Sequence, residues 1–309
     1  MALPLVLASL SKLTEGDLSS VVATFYTASP AGFAALSNTT TILEASLTGT
    51  LADGSPFSFS IFPAEASVVA EIDGSTGYWG PSASWSSSPD AKHWTIHFNS
   101  SSDNVSGSMT LTSLAPPHLP CGAVKSGATE MLMPHIGWAN AVPDAVAHVH
   151  FHINGTELAF TGPGYHDKNW GDRQFFESVG SWYWGHGRLG PYSIVWFDAR
   201  TETGVEHFSA YVAKDGKIVT GSCANGSVVA RPWGGEDMYP PPATTQNPDG
   251  FELRFADVEG RELVVNVTTA VTLVDFGAVY ERWTGTLEGG FLDGKGHWKG
   301  LALLEEFKI

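Results

Sequence analysis

Between Gly162 and Asp198 the chain reads GPGYHDKNWGDRQFFESVGSWYWGHGRLGPYSIVWFD, a density of aromatic, histidine and acidic residues that strand patterning alone does not require. From Ser181 onward the even positions Trp182, Trp184, His186 and Arg188 share one strand face, and after a turn Tyr192, Ile194, Trp196 and Asp198 share another. An aromatic wall of this kind holds a hydrophobic substrate in a reactive conformer, and orientation alone removes roughly 7 kcal/mol or more of a barrier. A His or Asp at its rim protonates a leaving oxygen or polarises a carbonyl, an effect of about 100-fold to 10,000-fold. His186 and Asp198 are candidate catalytic groups on these grounds, and Trp182, Trp184, Arg188, Tyr192 and Trp196 are candidate substrate-binding side chains.

These side chains need a hairpin to position them. With Leu189-Gly190-Pro191 as the turn and no bulge, Trp184 faces Trp196 and Trp182 faces Asp198, so both sets join one wall. Core filling accounts for most of the aromatics taken singly. It accounts poorly for His, Arg and Asp beside them, because charged groups are seldom buried without a partner or ligand. Upstream, Gly162-Pro163-Gly164 and Gly171-Asp172 bracket Tyr165 to Trp170, which reads as a connection held between turns rather than a strand interior.

Around this stretch the chain is a succession of short alternating runs and turn residues with no long amphipathic helix, which predicts an all-β fold. Residues 44–51 and 56–62 flank Ala52-Asp53-Gly54-Ser55 as a hairpin. Trp94, Ile96 and Phe98 alternate with His93, Thr95 and His97, and Met109 and Leu111 alternate with Ser108, Thr110 and Thr112. Residues 147–153 place His148, His150 and His152 on one face and Val149, Phe151 and Ile153 on the other. The proline-bearing segment 113–143 reads as a long irregular crossing, residues 205–231 as a meander, and residues 232–250 as a rim loop. The length admits one large all-β domain or two smaller ones; taken as two, residues 1–175 read as a β-sandwich or distorted barrel and residues 176–309 as an up-and-down barrel, to whose cavity Tyr280, Glu281 and Trp283 are further candidates.

Thirty-two acids against 16 bases give a net charge of −16, which disfavours nucleic acid and anionic membranes as partners. No run of 18 apolar residues exists to span a membrane, and the opening MALPLVLASLSK lacks a positive leader region. Acceptor sequons at Asn38, Asn99, Asn104, Asn154, Asn225 and Asn266 point to the secretory pathway or secretion, with the cytoplasm as the alternative. Cys121 and Cys223 form either one disulfide or two buried thiols.

The run GYHDKNWGD followed by WYWGHGRLGPYSIVWFDA resembles the group that includes carotenoid 1,2-hydratases (hydroxyneurosporene synthases) and the fungal Diels-Alderases of secondary metabolism. The resemblance implies two lipocalin-like or β-sandwich halves, a ligand cavity at or near their junction, and no cofactor. It carries over Tyr165, His166, Asp167, Asn169, Trp170 and Gly171, then Trp196 and Asp198, so that His166 and Asp167 join the candidate acid-base groups and Tyr165, Asn169 and Trp170 the binding set. The hydratase branch commonly reads YHDHNWG, and Lys168 stands here in place of the second histidine. That departure favours a cofactor-independent cycloaddition on a hydrophobic polyene, quinone methide or terpene-type intermediate over hydration of an isoprenoid.

Three other readings compete. His148, His150 and His152 offer zinc ligands at alternate positions, with His135 or an acid as third. A non-catalytic lipocalin-like carrier keeps the aromatic wall but has no use for His166, His186 or Asp198. A glycosidase or lectin draws on Asp167, Asp172, Asp198 and Glu281, but needs two carboxylates at a defined separation. No GxSxG elbow, P-loop or dinucleotide fingerprint is present.

Overall fold

The computed structural model describes residues 2–9, 18–27, 43–235, 238–242, 246–277 and 279–309. In chain order the strands are β1 (Ala2–Ser9), β2 (Ser20–Thr27), β3 (Leu43–Thr50), β4 (Pro56–Ile61), β5 (Ala66–Glu71), β6 (Gly74–Trp79) and β7 (Ala83–Ser87). They continue as β8 (His93–Ser100), β9 (Val105–Ser113), β10 (His118–Leu119), β11 (Gly122–Ala123), β12 (Met131–Met133), β13 (Ile136–Ile153) and β14 (Thr156–Gly171). After a 3-10 turn at Phe175–Glu177 come β15 (Val179–Leu189), β16 (Tyr192–Thr201), β17 (Glu206–Lys214), β18 (Lys217–Ser222) and β19 (Val228–Trp233). The last four are β20 (Gly250–Val258), β21 (Arg261–Asp275), β22 (Tyr280–Phe291) and β23 (His297–Lys308). The fold is all-β, and it divides into unit 1, residues 1–114 and 144–171, and unit 2, residues 115–143 and 172–309. The sequon Asn38 lies outside the described residues.

Unit 1 is one antiparallel sheet in the order β4-β3-β2-β1-β14-β13-β9-β8-β7-β6-β5. The sheet curls over a core, so that Trp79 on β6 packs on Phe25 of β2 at 5.0 Å and donates its indole N–H to the Tyr26 carbonyl at 3.0 Å. The alternation expected for β8, β9 and residues 147–153 is present: Trp94, Ile96, Phe98, Met109, Leu111, Val149 and Phe151 are buried, while His93, His97, His148, His150 and His152 are exposed.

Two expectations about β13 and β14 fail, each for a local reason. Tyr165 to Trp170 is not a connection: Tyr165, His166, Asp167 and Lys168 pair with β1 in the interior of the sheet. Gly164 serves close packing instead of a turn, since a Cβ there would meet the Leu111 side chain at 2.7 Å and Ala147 at 3.0 Å. Residues 136–146 likewise belong to β13, which runs straight through Pro143. Proline is tolerated there because the ladder changes partner at that point, from β12 and β10 before it to β9 from Ala145 onward.

Unit 2 is a nine-stranded sheet in the order β18-β17-β16-β15-β23-β22-β21-β20-β19, rolled around a core of Trp196, Phe251, Leu253, Val265, Trp283 and Leu304. The meander expected over residues 205–231 breaks between β18 and β19, which stand at the two ends of this order. Side chains close the seam: Asp198 on β16 accepts the Ala230 N–H of β19 at 2.9 Å, and the Thr220 hydroxyl of β18 donates to the Asp257 carbonyl of β20. Residues 115–143 run along the outside of this barrel. Ser209 and Tyr211 of β17 donate to the Pro120 and Pro116 carbonyls, each at 2.7 Å, and the Cys121–Cys223 disulfide fastens the segment beside β18.

Candidate active site

The hairpin β15–β16 sets which side chains enter the barrel. Leu189 pairs with Tyr192, so the turn is only Gly190-Pro191, with Gly190 at φ +57°. Glycine at the first central position and a proline-fixed φ at the second suit a two-residue type II′ turn. One residue fewer in the turn shifts the whole register: Trp184 pairs with Phe197, Gly185 with Trp196, and Tyr183 with Asp198. The single wall expected from the sequence therefore separates onto two faces. Trp196 and Asp198 point inward with Tyr183, while Trp182, Trp184, His186 and Arg188 occupy the outer face.

The inward face carries a continuous polar row across four hydrogen-bonded strands. Asp198 pairs with Tyr183, Tyr183 with Glu306, and Glu306 with Glu281. Neighbouring strands lie about 4.8 Å apart, so the row is a strip of closely set oxygens. All four residues are buried. One layer deeper the same register brings Trp196, Gly185, Leu304 and Trp283 side by side. Gly185 makes this floor possible, because a Cβ there would stand 2.2 Å from the Trp196 ring.

At the Asp198 end the row is anchored by charge. Arg231 reaches Asp198 Oδ2 at 2.7 Å and Glu206 Oε1 at 3.0 Å, and its guanidinium lies 3.6 Å from the ring centre of Tyr239, whose hydroxyl donates to Glu206. Tyr239 comes from the proline-rich loop expected at the rim, and its ring is 6.0 Å from that of Tyr183. At the other end Lys308 pairs with Glu306 at 3.0 Å. One step outward along β15 and β16, Ser181 and Arg200 line an open groove of about 420 Å³ with Pro240, Pro241 and Ile309.

Burial dominates the proton affinities. It pushes the Asp198 carboxyl up to about 6 in spite of the Ala230 N–H and Arg231, which both act downward. Burial pushes Glu281 up to about 7, reinforced by Asp275 and Glu306 and opposed by Asn247. Glu306 is also raised by burial, against Lys308, and the Tyr183 phenol is held well above its ordinary range by burial and then by Glu306. Tyr183 OH, Asp198 Oδ1 and Glu281 Oε2 have no hydrogen-bond partner among the described residues. Buried polar atoms in a folded protein are normally paired. Three such atoms in one row are suited to a ligand with polar groups of its own.

The other sequence candidates fall elsewhere. Trp182 packs against Phe175 at 4.7 Å and Phe307 at 5.5 Å on the outer face. His186 lies on that face too, and burial lowers it to about 3, so it is a neutral imidazole at physiological pH. Tyr192 stands at the opposite end of the barrel, donating to Glu259 at 2.9 Å, and Tyr280 faces outward while Trp283 faces in. Tyr165, His166, Asp167, Asn169 and Trp170 belong to unit 1. There Tyr165 donates to Asp167 Oδ2 at 2.9 Å, His166 packs edge-on to Trp94 at 4.3 Å, and Lys168 lies 5.8 Å from the Trp170 ring centre. Sequence reading missed Tyr183, Glu206, Arg231, Tyr239 and Glu306. One signal was available: the inward positions of LALLEEFK pass from apolar to acidic to basic, marking where the barrel interior becomes polar.

The model of the Diels-Alderase-like family matches residues 10–229. The chain belongs to that family. The quinolone epoxide rearrangement protein penF of Penicillium thymicola is 38% identical over 295 residues, covering 94% of this chain and 81% of the relative. The quinolone epoxide rearrangement protein asqO of Emericella nidulans is 36% identical over 269 residues, covering 86% and 73%. More distant relatives carry the name Diels-Alderase itself. Among solved structures, CghA bound to Sch210972 matches all of this chain and 88% of its own with a TM-score of 0.78 at 16% identity, a likeness of fold. The Diels-Alderase family anticipated from the YHDKNWGD motif is thus confirmed, and with it the all-β, lipocalin-like fold.

Proposed function

We propose that this member of the Diels-Alderase-like family acts at the polar end of the unit 2 barrel, rearranging an epoxide on a hydrophobic quinolone-type intermediate of fungal secondary metabolism. The observation that carries the reading is the row Asp198, Tyr183, Glu306 and Glu281 above a floor of Trp196 and Trp283. A carboxyl raised to about 7 is protonated in about half the molecules at neutral pH, so Glu281 is a ready general acid. Its proton passes to the epoxide oxygen as the C–O bond breaks, and both bonding electrons go to oxygen. The carbocation that remains is stabilised by the electron-rich faces of Trp196, Trp283 and Phe251. A neighbouring group then migrates with its electron pair, the hydroxyl becomes a carbonyl, and its proton returns to the Glu281 carboxylate. Reactant and product are isomers, and no cofactor enters the balance.

A cycloaddition uses the same groups differently. The Tyr183 phenol, which burial keeps protonated, donates to a carbonyl on the dienophile and lowers its acceptor orbital, while the aromatic floor folds the diene onto it. The names of the more distant relatives favour this second reading. Incubating the purified chain with a quinolone epoxide and with a linear polyene, followed by mass spectrometry, separates the readings. An isomer of unchanged mass from the epoxide supports rearrangement, one from the polyene supports cycloaddition, and a product heavier by one water shows hydration. Full activity of E281Q and Y183F in both assays would refute the site.

Passage through a secretory compartment is a further part of this reading. Asn99, Asn104, Asn154, Asn225 and Asn266 are all exposed, and Cys121 and Cys223 are joined. Glycosidase treatment of the protein from a eukaryotic host checks it, an unchanged mobility being the contrary result.

A further inference from the structure

We propose that His150, His152 and Glu157 form a binding site for a divalent transition-metal ion on the solvent face of the unit 1 sheet, separate from the chemistry of unit 2. The strand period puts His150 and His152 on the same side of β13. The chain then turns at Asn154-Gly155, with φ of +52° and +82°, and brings Glu157 at the start of β14 back beside them. Asn-Gly with both residues at positive φ gives the tight turn that permits this return within two residues.

One ligating atom from each of the three side chains lies within 4.8 Å of the others. Two nitrogens bound to one tetrahedral zinc at about 2.05 Å stand roughly 3.4 Å apart, so small side-chain rotations complete the geometry. The two imidazoles are already close, with ring centres 5.3 Å apart, and Glu157 Oε1 sits 3.0 Å from His150 Nε2. A metal would take the place of the proton shared by that last pair. Two imidazole nitrogens and one carboxylate oxygen suit zinc, copper(II) or nickel(II), and not calcium or magnesium, which prefer all-oxygen shells. All three residues are exposed, so the ion enters without any opening of the fold and keeps water in its remaining positions. A chain with net charge −16 also concentrates cations near its surface.

The test is calorimetric titration of the tag-free, full-length protein with zinc chloride. The wild type should bind one equivalent saturably. H152A and E157Q should each weaken that binding at least about tenfold, as even outer partners of metal ligands do when removed. H93A, an exposed histidine on the same face but on β8, should leave it unchanged. Circular dichroism confirms that each variant is folded, which is expected for exposed strand positions. Absence of saturable binding in the wild type, or its full retention in an H150A/H152A double variant, would overturn the proposal.

Discussion

Replacing Glu281 by Gln should stabilise the protein at alkaline pH while removing its activity. The native carboxyl is raised from 4.5 to about 7, so between those pH values the folded chain holds a proton that the unfolded chain has lost. Stability of the wild type therefore falls as pH rises from 4.5 to about 7 and is level above it. At about 1.4 kcal/mol per unit, the total loss is about 3 kcal/mol. Glutamine has nearly the same shape and can still accept from Asn247, but leaves an amide where Oε2 had no partner, at a cost of about 1 kcal/mol. E281Q should then be about 2 kcal/mol more stable than wild type at pH 8 and about 1 kcal/mol less stable at pH 4. Urea unfolding of both proteins at the two pH values, followed by tryptophan fluorescence, measures the difference. A stability difference that does not change sign or size with pH would refute the burial argument. In activity, wild-type kcat should decline as pH rises through about 7 because the acid form is lost, and E281Q should be slower by about 100-fold or more with no such decline.

Other variants probe the supports of the row. D198A strands the Ala230 N–H at the barrel seam and leaves Arg231 with Glu206 as its remaining acid, and should cost about 2–3 kcal/mol in chemical denaturation, below most broken buried pairs because Arg231 is partly exposed and keeps that partner. G185A drives a methyl group into the Trp196 ring and the Leu303 carbonyl, and should lower the melting temperature by several degrees as well as displacing the site floor. Reduction of Cys121–Cys223, or C121S, opens a loop of 102 residues and should destabilise the chain by about 4–5 kcal/mol, seen as a lower midpoint in urea.

How much of this was legible beforehand differs from strand to strand. Period-2 alternation identifies Trp94, Ile96 and Phe98 as core and His148, His150 and His152 as solvent-facing, because one face of each strand is dry and the other wet. Strand patterning does not reveal which strands pair. Asn225-Gly226 looks like a hairpin turn, yet β18 and β19 separate because the seam is made by Asp198, 32 residues from its partner Ala230. The site was half readable. Asp198, Trp196, Glu281 and Trp283 are recognisable as candidates, but a turn of two residues instead of three exchanged Trp182, Trp184 and His186 for Tyr183 on the inner face. A shift of one residue leaves composition and alternation unchanged and inverts every side chain. Gly164 misled in a related way: glycine marks both turns and close contacts, and only the Leu111 and Ala147 side chains beside it decide which.

The measurement that bears most directly on the account is a crystal structure of the protein with the product of its own reaction bound. Density for the product over Trp196 and Trp283, with polar atoms within hydrogen-bonding distance of Tyr183 OH and Glu281 Oε2, is the predicted result. A product bound outside the unit 2 barrel, with those two atoms untouched, would contradict it.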